Sequence, residues 1–411
     1  ILMTRAAKEK YHGTSATSEV REFRIRMGME LDLMNLWFGK TADYFRQFIS
    51  DQTIGMARIN RFDFTTLPIN LLYLLYYEYR RNEKESLNFS FFEYGKNSND
   101  NPDDDRWEMY LELQEMYAIL QRWYNDKELY HYLGFLFFNF KAQTPFRDIY
   151  TQWKALNSRD KFLKDIQHTI ATRMLDRYLE ETEKAAPDYQ KCLKTMTEAI
   201  SDFRENWYNN DKELYQILIL LDIFRILDSK AIKKLPTDYF TRKSGQKDGE
   251  DKEHILSQTP RKDNGEIATI KTDWERFAQS EDFKDIRSQM QEILNHSDAE
   301  LTEQELTQLQ NLLNSAGLNS IGNMVLLDLR INRSYGNADY AHKRTIIFQE
   351  YMNQKYVRPH TLAVFMKGDI DAREATGIPL NRWTLEDIKR NTDKIAKEIG
   401  KNFNAWLTQN N

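Results

Sequence analysis

Cysteine is almost absent: Cys192 is the single one among 411 residues. One thiol makes no disulfide, and no cysteine-ligated zinc site can form within the chain. Glycine, at 15, and proline, at 8, are also scarce. That disfavours a turn-rich all-β fold and favours helix. Positive charge is in slight deficit, with 58 Lys and Arg against 63 Asp and Glu and a net charge of −5. There is no global basic field for nucleic acid, so any such contact needs a local patch. Long apolar runs are missing too. Leu67–Tyr77 and Leu129–Phe140 are the longest near-apolar stretches, well short of the ~20 residues that span a bilayer. No signal-peptide pattern opens the chain. These absences lead to the expectation of a cytoplasmic protein with no membrane contact. The chain begins at Ile1 rather than Met, so an N-terminal portion is expected to precede it.

What is present points to helices. Hydrophobic residues make up 41% of the chain, enough to bury real cores. At roughly 100–200 residues per domain the length suggests two or three of them. Residues 1 to about 240 read as one helical domain, dense in aromatics: Trp37, Phe38, Tyr44, Phe45 and Phe48, then 71–79 and 89–94. Leu113, Met116, Tyr117, Leu120, Trp123 and Tyr124 recur at steps of three and four, the helical period. Rings at that spacing are core rather than stacking platforms for bases. Leu214–Leu227 is apolar nearly all round, as a central buried helix would be. The stretch NDNPDDD at 99–105 reads as an acidic loop. Residues 123–130 (WYNDKELY) are echoed at 207–215 (WYNNDKELY), and Asp126 and Asp211 are each placed to cap a helix. The polar, glycine-bearing stretch 233–252 suggests a boundary near 235–250, with a second domain over 241–411 interrupted by helices at about 272–316. Thr384 and Asp387 look like a capping box opening a last amphipathic helix.

Of seven histidines, His131 lies in an aromatic helix and reads as core, while His168 and His296 read as surface residues. His342 and His360 are reserves. His254 differs. It follows Asp251 and Glu253 and precedes Ile255 and Leu256, a setting that could fix the imidazole while the neighbouring carboxylate holds a divalent cation. A surface salt-bridge cluster would explain the string equally well. Further on, Met324–Leu327 is a short apolar run between loops, read as a buried strand, with Asn323 and Asn332 at its two ends. Helical character returns from Ala338. From Ile321 to Arg373 there are eight Lys and Arg against five Asp and Glu. Arg330, Arg333, Lys343, Arg344, Lys355 and Arg358 are therefore candidates for phosphate contacts.

EHI at 253–255, IGNMVLLD at 321–328, INRSYGN at 331–337 and the downstream Lys343 together resemble the HNH (ββα-metal, His-Me finger) nuclease domain. More narrowly, they resemble the C-terminal domain of GmrSD-type modification-dependent restriction endonucleases, over about residues 60–400. The resemblance implies a mainly α chain: a helical region, then a small α+β HNH domain with a helical insertion. It implies His254 as general base, Asn323 as its orienter, Glu253 and Asn332 as ligands of Mg²⁺ or Mn²⁺, and Arg330, Arg333, Lys343 and Arg344 near nucleic acid. It implies phosphodiester hydrolysis of DNA, modified or not, by an endonuclease or nickase in defence against phage. It leaves room for a ParB-like NTPase portion or partner subunit and for a homo-oligomer. Two departures stand out. His254 and Asn323 lie 69 residues apart, and the proline that often follows the histidine closely comes only at Pro260. The competing reading is a catalytically silent nucleic-acid-binding or regulatory helical module.

Overall fold

The computed structural model describes residues 18–60, 62–81, 86–92, 104–231, 234–242, 249–257, 259–260, 266–329, 331, 340–367 and 381–409. It is mainly α-helical, with one small sheet among the described residues. Two compact units divide the chain, Ile1–Ile166 and Gln167–Asn411.

The first unit holds α1 (Ser18–Phe45), α2 (Asp51–Ile59), α3 (Asn70–Arg80), α4 (Asp104–Asn125), α5 (Lys127–Phe140), α6 (Phe146–Leu156) and the start of α7 (Arg159–Leu175). Its aromatics are core, as their spacing suggests. Tyr44 stacks on Tyr130 at 4.7 Å, Phe48 on Phe137 at 3.8 Å, and Trp123 on Phe162 at 5.5 Å. Each such side chain buried contributes roughly 1.5–3 kcal/mol. His131 is buried among them, its Nδ1 2.5 Å from the Lys127 carbonyl. Asp126 caps α5, accepting from the Glu128 and Leu129 N–H groups.

The second unit contains the rest of α7, then α8 (Tyr189–Ser201), α9 (Asp211–Asp228), β1 (Glu250–His254), α10 (Lys271–Ala278), α11 (Arg287–Asn295), α12 (Glu303–Ser315), β2 (Met324–Asp328), α13 (Tyr340–Met352), α14 (Pro359–Met366) and α15 (Leu385–Thr408). The boundary expected near 235–250 falls inside this unit. The reason is packing: α9 lies against α14 and β2, and α8 against α15, so the helices before the polar stretch share a core with those after it. The echo of the first unit is imperfect. The extra asparagine in 207–215 makes Asn210 the cap residue, without a side-chain cap bond, and Asp211 the first helical residue. Asp211 instead binds the Lys252 ammonium.

β1 and β2 pair antiparallel, from Glu250 opposite Asp328 to His254 opposite Met324. β2 is buried over Met324–Leu327, which is why it reads as a continuous apolar run rather than an alternation. Around it Ile255, Trp274, Met290, Leu313, Ile347 and Phe365 form one core. The Thr384–Asp387 capping box opens α15 as anticipated. Near its start, α15 crosses the Ile321–Asn323 turn. A Cβ on Gly322 would lie 2.3 Å from the Ile388 carbonyl oxygen and 2.6 Å from the Thr392 nitrogen, so the close crossing requires glycine there.

Candidate active site

His254 ends β1, where the pairing with β2 brings it beside the Ile321–Asn323 turn. Side chains alternate along a strand. Lys252 and His254 therefore share one face, and Glu253 takes the other. On the first face the His254 ring stacks on Tyr208, with centroids 4.8 Å apart and planes 19° apart. His254 Nε2 lies 2.9 Å from Asn319 Oδ1. Lys252 Nζ sits 4.2 Å from the Tyr208 ring centroid and donates to the Tyr208 carbonyl and to Asp211. His254 is 8% exposed, so the imidazole is nearly enclosed yet not sealed.

Asn323 has a different task from the one anticipated. Its Oδ1 accepts from the Leu256 N–H at 2.8 Å, and its Nδ2 donates to the Leu256 and Leu318 carbonyls at 3.0 and 2.9 Å. Its own carbonyl accepts from the Ile255 N–H. These side-chain bonds all go to backbone, so the amide clamps the chain leaving His254 rather than touching the ring. The side chain that meets the imidazole is Asn319, which the sequence pattern did not single out. Nothing local marks it, since its partner lies 65 residues away.

On the other face Glu253 meets Lys343. The ammonium lies 3.3 Å from Glu253 Oε1 and donates to the His254 carbonyl at 2.7 Å. Lys343 was expected to face phosphate, but its side chain is fully buried. It joins α13 to the end of β1 from inside. Burial pulls its pKa below the ordinary lysine value, against the opposing pull of Glu253. Arg358, another expected phosphate contact, is also internal. It binds Glu250 through two bonds of 2.7 Å and Asp222 at 2.8 Å, with all three side chains 2% exposed or less. Arg344 donates to the Phe365 carbonyl and lies over Phe348. Lys355 is exposed and pairs with Glu350. His342 is exposed and His360 buried. Asn332, Arg330 and Arg333 lie outside the described residues, as does most of 99–105.

Residues 194–398 match the family described as GmrSD restriction endonucleases, C-terminal domain. The second half of this chain belongs to that family. The chain therefore carries a nuclease-family domain of the restriction type, for which DNA is the implied substrate. The match begins at Lys194, within α8, so the GmrSD-type domain includes α9 and the 207–209 turn that meets His254. No curated protein and no solved structure matches the chain. Among the described residues no helix is long and apolar enough to cross a membrane.

A divalent cation is implied by the HNH resemblance, and the donors bear on whether one fits. Glu253 offers a hard, partly exposed carboxylate beside His254. No group of three or more His, Cys, Asp or Glu gathers among the described residues. A Mg²⁺-type ion keeps several waters and substrate oxygens and needs only one or two protein carboxylates; Glu253, paired with Lys343 on the strand face opposite the imidazole, is the described carboxylate that the resemblance names for it.

Proposed function

We propose that the chain is an HNH-type, divalent-metal-dependent DNA endonuclease or nickase that acts in the cytoplasm against phage or modified DNA. The observation that carries this reading is a nearly enclosed imidazole at the end of a two-stranded antiparallel sheet, backed by a helix, within a match to restriction endonucleases. His254 takes the proton from a water at Nδ1, since its Nε2 is engaged by an amide oxygen. A general base in such a position contributes about 10²–10⁴-fold. Glu253, with Asn332, would hold the cation. When bound, the cation supplies charge stabilisation to the phosphate and the leaving 3′ oxygen. Lys343 keeps Glu253 and the His254 carbonyl in place. A ParB-like NTPase portion or subunit would show itself as nucleotide-dependent cutting, and self-association as a doubled mass.

The test is cleavage of modified and unmodified plasmid by the full chain, with Mg²⁺, Mn²⁺ or EDTA, alongside His254→Ala. Nicked or linear product is expected with metal, none with EDTA, and a loss of about 10²–10⁴-fold in the variant. Equal cutting by the variant, or cutting in EDTA, would overturn the reading. Tight DNA binding without cleavage under either metal would point to a silent binding module instead.

A further inference from the structure

We propose that Asn319 is the positioning residue that fixes the tautomer and plane of the His254 imidazole, with Asn314 behind it and Tyr208 against the ring face. The proposal deepens the reading of His254 as proton acceptor and rests on it. Asn319 has its amide oriented from two sides. Its Nδ2 donates to Asn314 Oδ1 at 2.5 Å, which turns Oδ1 toward His254 Nε2 at 2.9 Å. Its backbone carbonyl accepts from the Trp207 N–H at 3.0 Å, so the residue is held at backbone and side chain alike. It is 5% exposed, so water competes little for these bonds. An amide oxygen accepts and cannot donate. The proton on the ring must then sit on Nε2, and Nδ1 becomes the basic nitrogen. The partner on one ring nitrogen decides which other nitrogen can act.

A hydrogen bond at Nε2 would by itself leave the ring able to rotate about it. Tyr208 removes that freedom by stacking on the imidazole, and Lys252 holds Tyr208 through its ring and its carbonyl. The ring is thus fixed by contacts from two sides. Asn323 cannot substitute for Asn319, because its amide is spent on the backbone of Leu256 and Leu318. Asn314 lies on α12, within the helical insertion, and Tyr208 lies on the turn before α9. Elements outside the strand pair therefore supply what orients its histidine.

The experiment uses the full chain labelled with ¹⁵N-histidine, with the His254 signals assigned by their disappearance in His254→Gln. In the wild type the His254 proton should reside on Nε2. Asn319→Leu should give a mixed or Nδ1–H tautomer and lower single-turnover cleavage about 10–100-fold, the loss typical when the partner behind a metal-ligating histidine is removed, with KM little changed. Asn319→Asp retains an acceptor and should restore the Nε2–H form and most of the rate. Asn319→Ser, whose oxygen is too short to reach the ring, gives the same reading should the leucine variant not fold. A wild-type protein with the proton on Nδ1, or a leucine or serine variant with unchanged tautomer and rate, overturns the proposal. If the wild type cuts no DNA with either metal, the nuclease reading fails while the spectra still decide the role of Asn319.

Discussion

Asp222 and Glu250 share the guanidinium of Arg358, and water reaches none of the three. Burial is the main force on Asp222 and raises its pKa from 3.8 to about 6, against the pull of Arg358 and of the His360 N–H. A carboxyl whose native pKa is raised binds more protons folded than unfolded between those two values. Its contribution to stability is therefore complete below about pH 4 and is lost as pH rises through about 6. Asp222→Asn removes this dependence. From pH 4.5 to 7.5 the variant should gain on the wild type by on the order of 2 kcal/mol. Urea midpoints of both proteins across that range measure it, and parallel curves would refute the raised pKa. Arg358→Met, by contrast, leaves two buried carboxylates without a cation and should cost about 3–5 kcal/mol at pH 7. At this scale the sequence drew attention to Glu253–His254 because these residue types are rare together, and cleavage by the His254 variant decides their role. The sequence misled where a residue's environment is set by distant chain. Arg358 and Lys343 looked like surface cations because lysine and arginine are seldom fully buried unless paired, and their partners lie 90 to 136 positions away.

Elements differ in how openly they declare themselves. β2 and α9 were legible because burial on all sides demands continuous apolar sequence. β1 was only half legible. Its five residues, EDKEH, carry no hydrophobic alternation. Its place is fixed instead by ladder bonds to β2 and by charged side chains that each find a separate partner: Arg358, Arg242, Asp211 and Lys343. Ion-pair complementarity over such separations leaves no periodic trace. Two glycines give opposed expectations at this scale. Gly322→Ala would drive a methyl group into the backbone of α15 and should destabilise by about 1–3 kcal/mol or more. Gly55, inside α2, has nothing within 4 Å of the added carbon, so alanine there should stabilise by about 0.5–1 kcal/mol. Calorimetric melting of the two variants separates them by sign. A Gly322→Ala protein that melts with the wild type would mean that α15 does not press on the turn as described.

For the whole molecule, the mainly helical class followed from scarce glycine and proline, but the partition of the chain did not. A polar stretch resembles a linker whether or not the helices on either side share a core, and here α8 and α9 belong with the helices on its C-terminal side. A fragment of residues 158–411, cut just before α7, should unfold in one cooperative transition. One of 241–411 should not, because it lacks α9, Trp207 and the helix that α15 packs along. Circular dichroism melts of both fragments decide between the two boundaries, and cooperative melting of the shorter one would restore the boundary near 240. The lone thiol has a practical consequence. Cys192 is buried in α8, and burial raises its pKa, so little thiolate is presented to reagents. A maleimide dye offered to the folded wild type should find no target. A cysteine introduced at exposed Lys397 would then be labelled alone, making the native background silent for fluorescence measurements on DNA without first engineering a cysteine-free variant.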